Sequence, residues 1–325
     1  MASPDLAAHL SSLLPSSHPQ LRDQVLPKLL ACIHDIANTL RTSPSVTQIG
    51  TANAFGDNQL NVDVLAEGCI RKTIASCPSI VTASSEEDPI EKASTPSSSP
   101  GDEKYTLAFD PLDGSSIIAP NWSVGTIIGI WDSTSALHQP PSTHQIAAIL
   151  GVLGPRTTAI VALRLPGTQG TCFEIGYSAA GTMQVVRPNI KLTDPTALKT
   201  RYFSPANMRA AADEPKYLHL ITRFVKEKYT LRYSGGLVPD VVHALVKGHG
   251  VYISPVTAQS EAKLRRLYEL APIALVVECA GGVALDSATG DRVLERCVRD
   301  TDERGGLICG NGDEVEQVRR ALIEG

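Results

Sequence analysis

Two aspartates lie three residues apart in the segment Asp110-Pro111-Leu112-Asp113-Gly114, directly after the apolar run YTLAF. An apolar run that ends at Pro and Gly predicts a buried strand that stops at a turn. Like charges held close together destabilise each other, so converging carboxylates favour a divalent cation between them. Mg2+ prefers carboxylate and carbonyl oxygens as ligands. The alternative is an ordinary chain reversal, for which Asp-Pro-x-Asp-Gly is also a good sequence.

Gly114, Ser115 and Ser116 continue this turn. They offer three consecutive backbone N–H groups and two hydroxyls, a combination typical of a site for phosphate oxygens, above all where a helix begins. Metal ligands and a phosphate-binding turn in one segment predict phosphoryl chemistry.

Further acidic residues precede this turn. Glu86, Glu87 and Asp88 follow the apolar run IVTA. Consecutive glutamates more often mark a solvated surface, but parallel neighbouring strands would bring both acidic ends to the same sheet edge, where open α/β sheets place their sites. Asp57 and Asp63 lie around the start of a predicted helix, and their alternative role is to cap it.

Two basic segments complete the set. Lys263 and Arg265 precede Glu269, and on a helix Arg265 and Glu269 would be an i,i+4 pair of the disfavoured polarity. The segment KYTLRYSGG at residues 228–236 combines cations, phenols and a Gly-Gly turn, which suits a second phosphate or a sugar. Each cluster alone could be surface decoration; together they supply metal ligands, two anion-binding zones and a base.

The apolar spacing predicts alternating helices and strands. Helices are expected at 21–40, after Asp57, and at 217–227, 238–246 and 261–269. Strands are expected at 79–83, 105–109, 124–131, 158–163, 172–175, 183–186, 250–253 and 273–277. The Ser- and Pro-rich segment 93–103 is expected to be a surface loop. This order predicts a mixed α/β protein, with two sheet-containing halves at 1–190 and 191–325.

Composition excludes several classes of partner. The 325-residue chain has a net charge of −5 and a pI of about 5.9, which does not suggest nucleic acid or an anionic membrane. No apolar run reaches membrane-spanning length, and the first residues lack a signal or transit pattern. Seven scattered cysteines without CxxC spacing fit free thiols in a reducing compartment. A cytoplasmic location is therefore expected.

Four motifs carry a resemblance to a known family. GDNQLNVD at 56–63, SEED at 85–88, AFDPLDGSSII at 108–118 and KLRRLYE at 263–269 resemble the sugar bisphosphatases of the fructose-1,6-bisphosphatase superfamily, in order and in spacing. YFSPANMRA at 202–210 and the segment 225–240 resemble the sedoheptulose-bisphosphatase branch more than the fructose branch. The likeness runs from about Ile49 to the C-terminus.

The resemblance implies a layered α/β fold (an α-β-α-β-α sandwich) and a role for each matched residue. The implied Mg2+ ligands are Glu86, Asp110, the Leu112 carbonyl, Asp113 and Glu269. The implied catalytic carboxylates are Asp57, Asp63 and Glu87. The implied substrate-binding residues are Gly114, Ser115 and Ser116 for the 1-phosphate, and Asn207, Arg209, Arg232, Tyr233 and Lys263 for the distal phosphate and sugar.

The implied cofactor is Mg2+, two or three ions per site, with Mn2+ as a possible substitute. The implied assembly is a homodimer or homotetramer, because Arg232 matches a cross-subunit position. The expected reaction is hydrolysis of the 1-phosphate of sedoheptulose 1,7-bisphosphate to sedoheptulose 7-phosphate. The alternatives are fructose-1,6-bisphosphatase activity and a non-catalytic sugar-phosphate-binding protein of the same fold. Strong AMP inhibition and thiol regulation by a cysteine pair are not expected, since the corresponding segments are absent.

Overall fold

A computed structural model describes residues 5–52, 56, 58–94, 103–193 and 200–324 of the chain. Helices and strands alternate along these residues, which confirms the predicted mixed α/β class. No helix in these ranges is long and apolar enough to cross a membrane.

The larger sheet has eight strands in the order β10-β9-β8-β7-β6-β5-β3-β4. Its strands are β3 (Ile80–Ser85), β4 (Lys92–Ala93), β5 (Tyr105–Asp113), β6 (Val124–Trp131), β7 (Gln145–Leu153), β8 (Thr157–Leu163), β9 (Thr171–Tyr177) and β10 (Met183–Arg187). A separate two-stranded ribbon, β1 (Gln48–Ala52) with β2 (Asn58–Leu60), precedes it. Neighbouring strands of the large sheet are antiparallel except β3 and β5, which are parallel.

The smaller sheet has five strands in the order β12-β11-β13-β17-β15. Its strands are β11 (Tyr202–Pro205), β12 (Thr230–Leu231), β13 (Val251–Ser254), β15 (Val283–Leu285) and β17 (Leu307–Gly310). Two short strands, β14 (Leu264–Arg265) and β16 (Arg304–Gly305), pair beside it.

Helices cover both faces of each sheet. They are α1 (Leu6–Leu13), α2 (Leu26–Thr42), α3 (Asn61–Ala75), α4 (Ser115–Ile118), α5 (Pro141–His144), α6 (Pro215–Lys226), α7 (Leu237–Lys247), α8 (Ala271–Cys279) and α9 (Gly312–Arg319). One apolar core joins α1, α2 and α3 to the large sheet, a second joins α7 and α8 to the facing sides of both sheets, and a third joins α6 and α9 to the small sheet. The layers thus follow the predicted α-β-α-β-α order.

β5 lies in the middle of this arrangement and is buried along its whole length. Leu107 and Phe109 face the core with α3, whereas Ala108 faces the core with α8, as the two-residue period of a strand requires. A strand covered on both faces has a continuous apolar sequence, and this run is what predicts the strand. Asp110 and Asp113 lie in its last part, and the Gly114 turn follows directly.

Two sequence predictions are wrong. Residues 261–265 are not helical: Leu264 and Arg265 form β14, and a helical turn begins only at Arg266 and continues into α8. The run predicted as a strand at 273–277 is the centre of α8, because a short apolar run buried on all sides looks the same in either element. β7 was not predicted, although it is a central strand of the large sheet.

The segment between β10 and β11 contains the predicted boundary at residues 190 and 191. The division of the chain into two domains there stays a prediction. Most of the segment predicted as a surface loop, residues 95–102, lies outside the described residues.

Candidate active site

The parallel pairing of β3 with β5 brings two acidic positions to one sheet edge. Ser85, the last residue of β3, lies opposite Phe109, and the Glu86 N–H donates to the Phe109 carbonyl at 3.1 Å. Burial raises the pKa of Asp110 well above its usual value, and the neighbouring charge of Glu86 raises it further. The predicted meeting of the acidic ends of two parallel strands is confirmed.

Asp110, Asp113 and Glu269 form a compact buried cluster. One carboxylate oxygen of each lies within 4.8 Å of the others, and all three residues are less than a tenth exposed. The two aspartates end β5, whereas Glu269 comes from the turn Arg266–Leu270 before α8. Burial raises the pKa of Asp113 to about 6. Burial and the Glu86 charge hold the pKa of Glu269 well above its usual value.

This donor set fits a divalent cation. Three carboxylates held this close without a counterion repel one another, and a cation between them removes that repulsion. Hard oxygen donors suit Mg2+ and Mn2+ alike. Leu112 is buried between the two aspartates and donates its N–H to Asp110 Oδ1 at 2.9 Å. Ligation by the Leu112 carbonyl stays a prediction.

Arg265 supplies a fixed positive charge beside this cluster. Its backbone N–H donates to Glu269 at 2.5 Å, and its guanidinium lies 3.1 Å from Glu86 and 2.5 Å from Asp302. Because Arg265 lies in β14 and the helical turn begins only at Arg266, Arg265 and Glu269 do not form the helical side-chain pair that the sequence suggested. No sequence pattern indicates Asp302, which lies in a charge-rich loop far along the chain.

Glu87 and Asp63 form a second acidic group next to the first. Burial raises the pKa of Glu87 to about 7, helped by the charges of Asp63 and Glu86 and opposed by a hydrogen bond from Gln59 at 2.5 Å. Burial raises the pKa of Asp63 to about 6. Asp63 also accepts the Leu60 N–H at 2.9 Å, so it caps α3 as well. The capping role of Asp63 is therefore confirmed, and its catalytic role stays a prediction.

The motif GDNQLNVD contains two further residues that bear on the site. Asp57, a predicted catalytic carboxylate, lies outside the described residues. Gln59 was not predicted, although the same motif contains it; its amide orients Glu87. Amide side chains are harder to recognise from sequence than carboxylates because they carry no charge.

The predicted phosphate turn has the expected local geometry. Gly114 has φ 95°, a left-handed conformation that favours glycine, and α4 begins directly after it. The Ile117 N–H donates to the Gly114 carbonyl at 2.9 Å, while Ser115 and Ser116 are exposed at the start of the helical turn. The turn therefore presents its first N–H groups and hydroxyls beside Asp113.

The start of α7 is attached to the acidic cluster. Asp113 accepts the N–H groups of Leu237 at 3.0 Å and of Val238 at 2.6 Å. Asp240 in the first turn of α7 accepts the Ser234 N–H at 2.7 Å, and burial raises its pKa to about 6. The segment that includes Tyr233 is thus held next to the predicted metal ligands.

Three of the predicted distal-pocket residues lie together or border a cavity, and two are exposed at the surface. Asn207, in a left-handed conformation, lies against Ser260 and hydrogen-bonds Tyr233 through its backbone. Arg232 is exposed over the Tyr202 ring and borders, with Tyr233, a cavity of about 940 Å3. The remaining two positions, Arg209 and Lys263, are exposed. Their roles in binding a phosphate stay predictions.

Comparisons with known families agree with this fold. The family described as fructose-1-6-bisphosphatase, N-terminal domain, matches residues 15–186, and the corresponding C-terminal domain matches residues 196–323. The chain is therefore a phosphoric monoester hydrolase, and it belongs to the fructose-1,6-bisphosphatase family.

Individual relatives come from two branches of this family. A chloroplastic sedoheptulose-1,7-bisphosphatase of Triticum aestivum is 36% identical over 92% of this chain and 74% of its own length. A class 1 fructose-1,6-bisphosphatase of Syntrophotalea carbinolica is 33% identical over 89% of this chain and 85% of its own.

Solved structures give the same result. A Toxoplasma gondii protein provisionally assigned as a sedoheptulose-1,7 bisphosphatase superposes with a TM-score of 0.85 at 34% identity, covering 99% of both chains. The holo form of Leishmania major fructose-1,6-bisphosphatase superposes with a TM-score of 0.85 at 25% identity, covering all of both chains. The resemblance predicted from the motifs is confirmed at the level of the family.

Proposed function

We propose that the chain is a Mg2+-dependent sugar bisphosphatase that converts sedoheptulose 1,7-bisphosphate and water to sedoheptulose 7-phosphate and phosphate. The observation that carries this proposal is the buried cluster of Asp110, Asp113 and Glu269 beside the Gly114 turn. A phosphomonoester is inert, so its hydrolysis needs an activated water and a stabilised leaving oxygen. Mg2+ held by these carboxylates would favour deprotonation of the attacking water and would stabilise the negative charge that develops on the leaving oxygen.

Residues of the chain account for the remaining steps. N–H groups and hydroxyls of the turn at Gly114, Ser115 and Ser116 bind the scissile phosphate. Glu87, whose pKa of about 7 suits a base near neutral pH, accepts a proton from water as its oxygen attacks phosphorus. The bond between phosphorus and the sugar oxygen breaks, and that oxygen takes a proton from solvent, to which Glu87 later returns the proton that it accepted. Asp63, with a pKa of about 6, assists the proton transfer.

The sugar and the distal phosphate of the substrate would be recognised by the predicted distal-pocket residues. Asn207, Arg209, Tyr233 and Lys263 bind the distal phosphate and the sugar in this proposal. The sedoheptulose preference is supported by the Triticum aestivum relative and by the segments at 202–210 and 225–240. Fructose 1,6-bisphosphate is the second candidate substrate, supported by the class 1 relative at 33% identity.

Phosphate release from the purified protein tests this function. Both bisphosphates are supplied in parallel, with Mg2+ and with EDTA, and Asp110→Asn is the blank. A kcat/KM that favours the seven-carbon sugar about tenfold, worth about 1.4 kcal/mol of transition-state discrimination, supports the narrower activity. A preference for fructose 1,6-bisphosphate contradicts the distal-pocket assignment alone. Absence of Mg2+-dependent release from either contradicts the proposal.

We also propose a homodimer or homotetramer in which Arg232 reaches the neighbouring subunit's site. Arg232 is exposed and borders the cavity that Tyr233 also lines, which is consistent with a residue that acts across an interface. Sedimentation velocity measures the assembly. Mixing Arg232→Ala with Asp110→Asn subunits tests the role, since a residue acting across the interface allows mixed oligomers to regain activity. The proposed cytoplasmic location is tested by imaging a fluorescent fusion.

A further inference from the structure

Arg71 on α3 joins the helix to the turn that carries Glu86 and Glu87. Its Nε lies 2.6 Å from Glu67 Oε1, one helical turn earlier, and its Nη2 lies 3.7 Å from Asp88 Oδ2. Glu67 and Arg71 are largely buried, with side chains 15% and 29% exposed. The guanidinium thus contacts carboxylates on two different elements.

The turn at Ser85–Asp88 is also closed by its own hydrogen bonds. The Asp88 N–H donates to Ser85 Oγ at 2.9 Å, and the Ser85 N–H donates to the Asp88 carbonyl at 3.0 Å. Ser85 is fully buried and its hydroxyl interacts with Glu67. Glu67 and Arg71 therefore hold the two ends of the turn, Ser85 and Asp88, respectively.

The third contact of Arg71 is with Phe109, the residue before Asp110. The guanidinium carbon lies 5.2 Å from the centre of this buried ring, within the range of a cation–π interaction. An i,i+4 Glu–Arg pair alone stabilises a helix only slightly. Contacts with Asp88 and Phe109 go beyond that role, because they tie α3 to both strands whose ends carry the acidic cluster.

We propose that Arg71 is a positioning residue that, with Glu67, fixes the Ser85–Asp88 turn so that Glu86 and Glu87 face the metal cluster. This inference rests on the proposed function. Loss of the pair lets the repelling carboxylates of the turn move apart, so the site must be reorganised each time a cation binds. Metal affinity therefore depends on two residues that contact neither metal nor substrate.

A charge-balanced double variant separates position from charge. Removing Arg71 alone also removes a positive charge near the site, which by itself would favour cation binding. Glu67→Gln/Arg71→Met removes one charge of each sign. The matched control is Arg164→Met/Glu278→Gln, an ion pair at 2.9 Å with side chains 23% and 16% exposed, which lies between the end of β8 and α8. Calorimetric titration of EDTA-treated protein with Mg2+ alone gives the dissociation constant without any turnover.

We expect the Mg2+ dissociation constant to rise at least tenfold in the Glu67/Arg71 variant and to change less than twofold in the control, with native circular dichroism in both. Arg71→Lys keeps the positive charge but lacks the planar guanidinium, and it should raise the Mg2+ dissociation constant at least threefold. This variant replaces the double variant if the latter does not fold. Unchanged Mg2+ affinity in the folded variants overturns the inference while leaving the phosphatase proposal intact. Absence of Mg2+ binding to the wild-type protein overturns both.

Discussion

The carboxylate of Asp113 accepts the backbone N–H of Val238 at 2.6 Å, and so a predicted metal ligand also caps the first turn of α7. A carboxylate at a helix N-terminus is stabilised by the N–H groups it satisfies and by the helix dipole. The same bond connects the end of β5 to the helix that follows Tyr233. Displacement of α7 would therefore disturb the acidic cluster and the proposed sugar-binding segment together.

Asp110→Asn should abolish activity while stabilising the metal-free protein. Asn keeps the oxygen that accepts the Leu112 N–H but removes one of the charges that burial and Glu86 disfavour. We expect phosphate release to fall about a hundredfold or more, as for the loss of one electrostatic stabiliser of a transition state. The unfolding midpoint in EDTA should rise, and the further rise on adding Mg2+ should shrink.

Phosphate-release assays measure the expected loss of activity, and thermal unfolding in EDTA and in Mg2+ measures the expected change in stability. Retention of a tenth of the wild-type rate would exclude Asp110 from the proposed ligand set. A lower midpoint in EDTA would show that the cluster's repulsion is not a significant cost in the folded protein.

The free energy of unfolding should depend on pH differently with and without metal. The folded pKa values of Glu87 (about 7), Asp63 and Asp113 (both about 6) lie above those of an unfolded chain. Between about pH 4 and pH 7 the folded protein therefore binds more protons, and its free energy of unfolding falls as pH rises. A bound divalent cation favours the ionised carboxylates, so saturating Mg2+ should remove or reverse this fall.

Thermal unfolding across this pH range, in EDTA and in Mg2+, measures the effect. The gap between the two midpoints should widen as pH rises from 4 to 7. Activity should rise over the same interval and level off above the pKa of Glu87, because the base must be ionised. A gap that stays constant with pH would mean that these carboxylates do not hold the cation.

Arg265→Met should make the protein depend more strongly on metal for its stability. The buried guanidinium is the counter-charge for Glu86 and also binds Asp302. Removing one partner of a fully buried ion pair costs about 3–5 kcal/mol, because the other charge is left uncompensated. The cost should be smaller here, since the Glu86 and Asp302 side chains are 26% and 55% exposed. We expect the unfolding midpoint to fall in EDTA and much of the loss to be recovered in Mg2+, which can neutralise Glu86. The more exposed pair of Arg292 with Glu278 provides a control: Arg292→Met should change stability by less than about 1 kcal/mol in both media.

Much of the site was predictable because its residues belong to local sequence patterns. Asp110 and Asp113 lie in the last part of a buried strand, and glycine permits the left-handed turn at Gly114. Parallel pairing of β3 with β5 then follows from ordinary sheet rules. Glu269 could be assigned only through the family resemblance, since no local pattern relates it to residues more than a hundred and fifty positions earlier.

The remainder depends on contacts between distant segments. Asp302 reaches Arg265 from a different loop, and the bonds from Asp113 to α7 use backbone N–H groups, which leave no mark in the sequence. The run IALVV at 273–277 in α8 predicts a strand because both faces of that helix are buried, so that its apolar residues show no helical period. Hydrophobic periodicity does not distinguish a helix from a strand where the element is buried on all sides.

Gly125→Ala tests the link between α7 and the acidic cluster from its other side. Gly125 lies opposite Asp113 on β6, and a Cβ there would come within 2.4 Å of the Val238 Cβ. The start of α7 must then move, which lengthens its bonds to Asp113. We expect a loss of about 1–3 kcal/mol from overpacking. Activity should fall about a hundredfold, since shifts of about 1 Å at a catalytic group can cost that much.

Two companion substitutions decide whether the contact is the cause. The nearest atom is the Cβ of Val238, so Val238→Ala should leave the Gly125→Ala defect in place, whereas Val238→Gly should restore part of the activity. Gly68→Ala, in the exposed middle of α3 with nothing within 4 Å of the added Cβ, should instead stabilise the protein by about 0.5–1 kcal/mol without changing kcat. Steady-state kinetics and thermal unfolding of these variants give both quantities. Full activity in Gly125→Ala would mean that α7 can shift without disturbing Asp113, and that the bond from Val238 is not needed to hold the site.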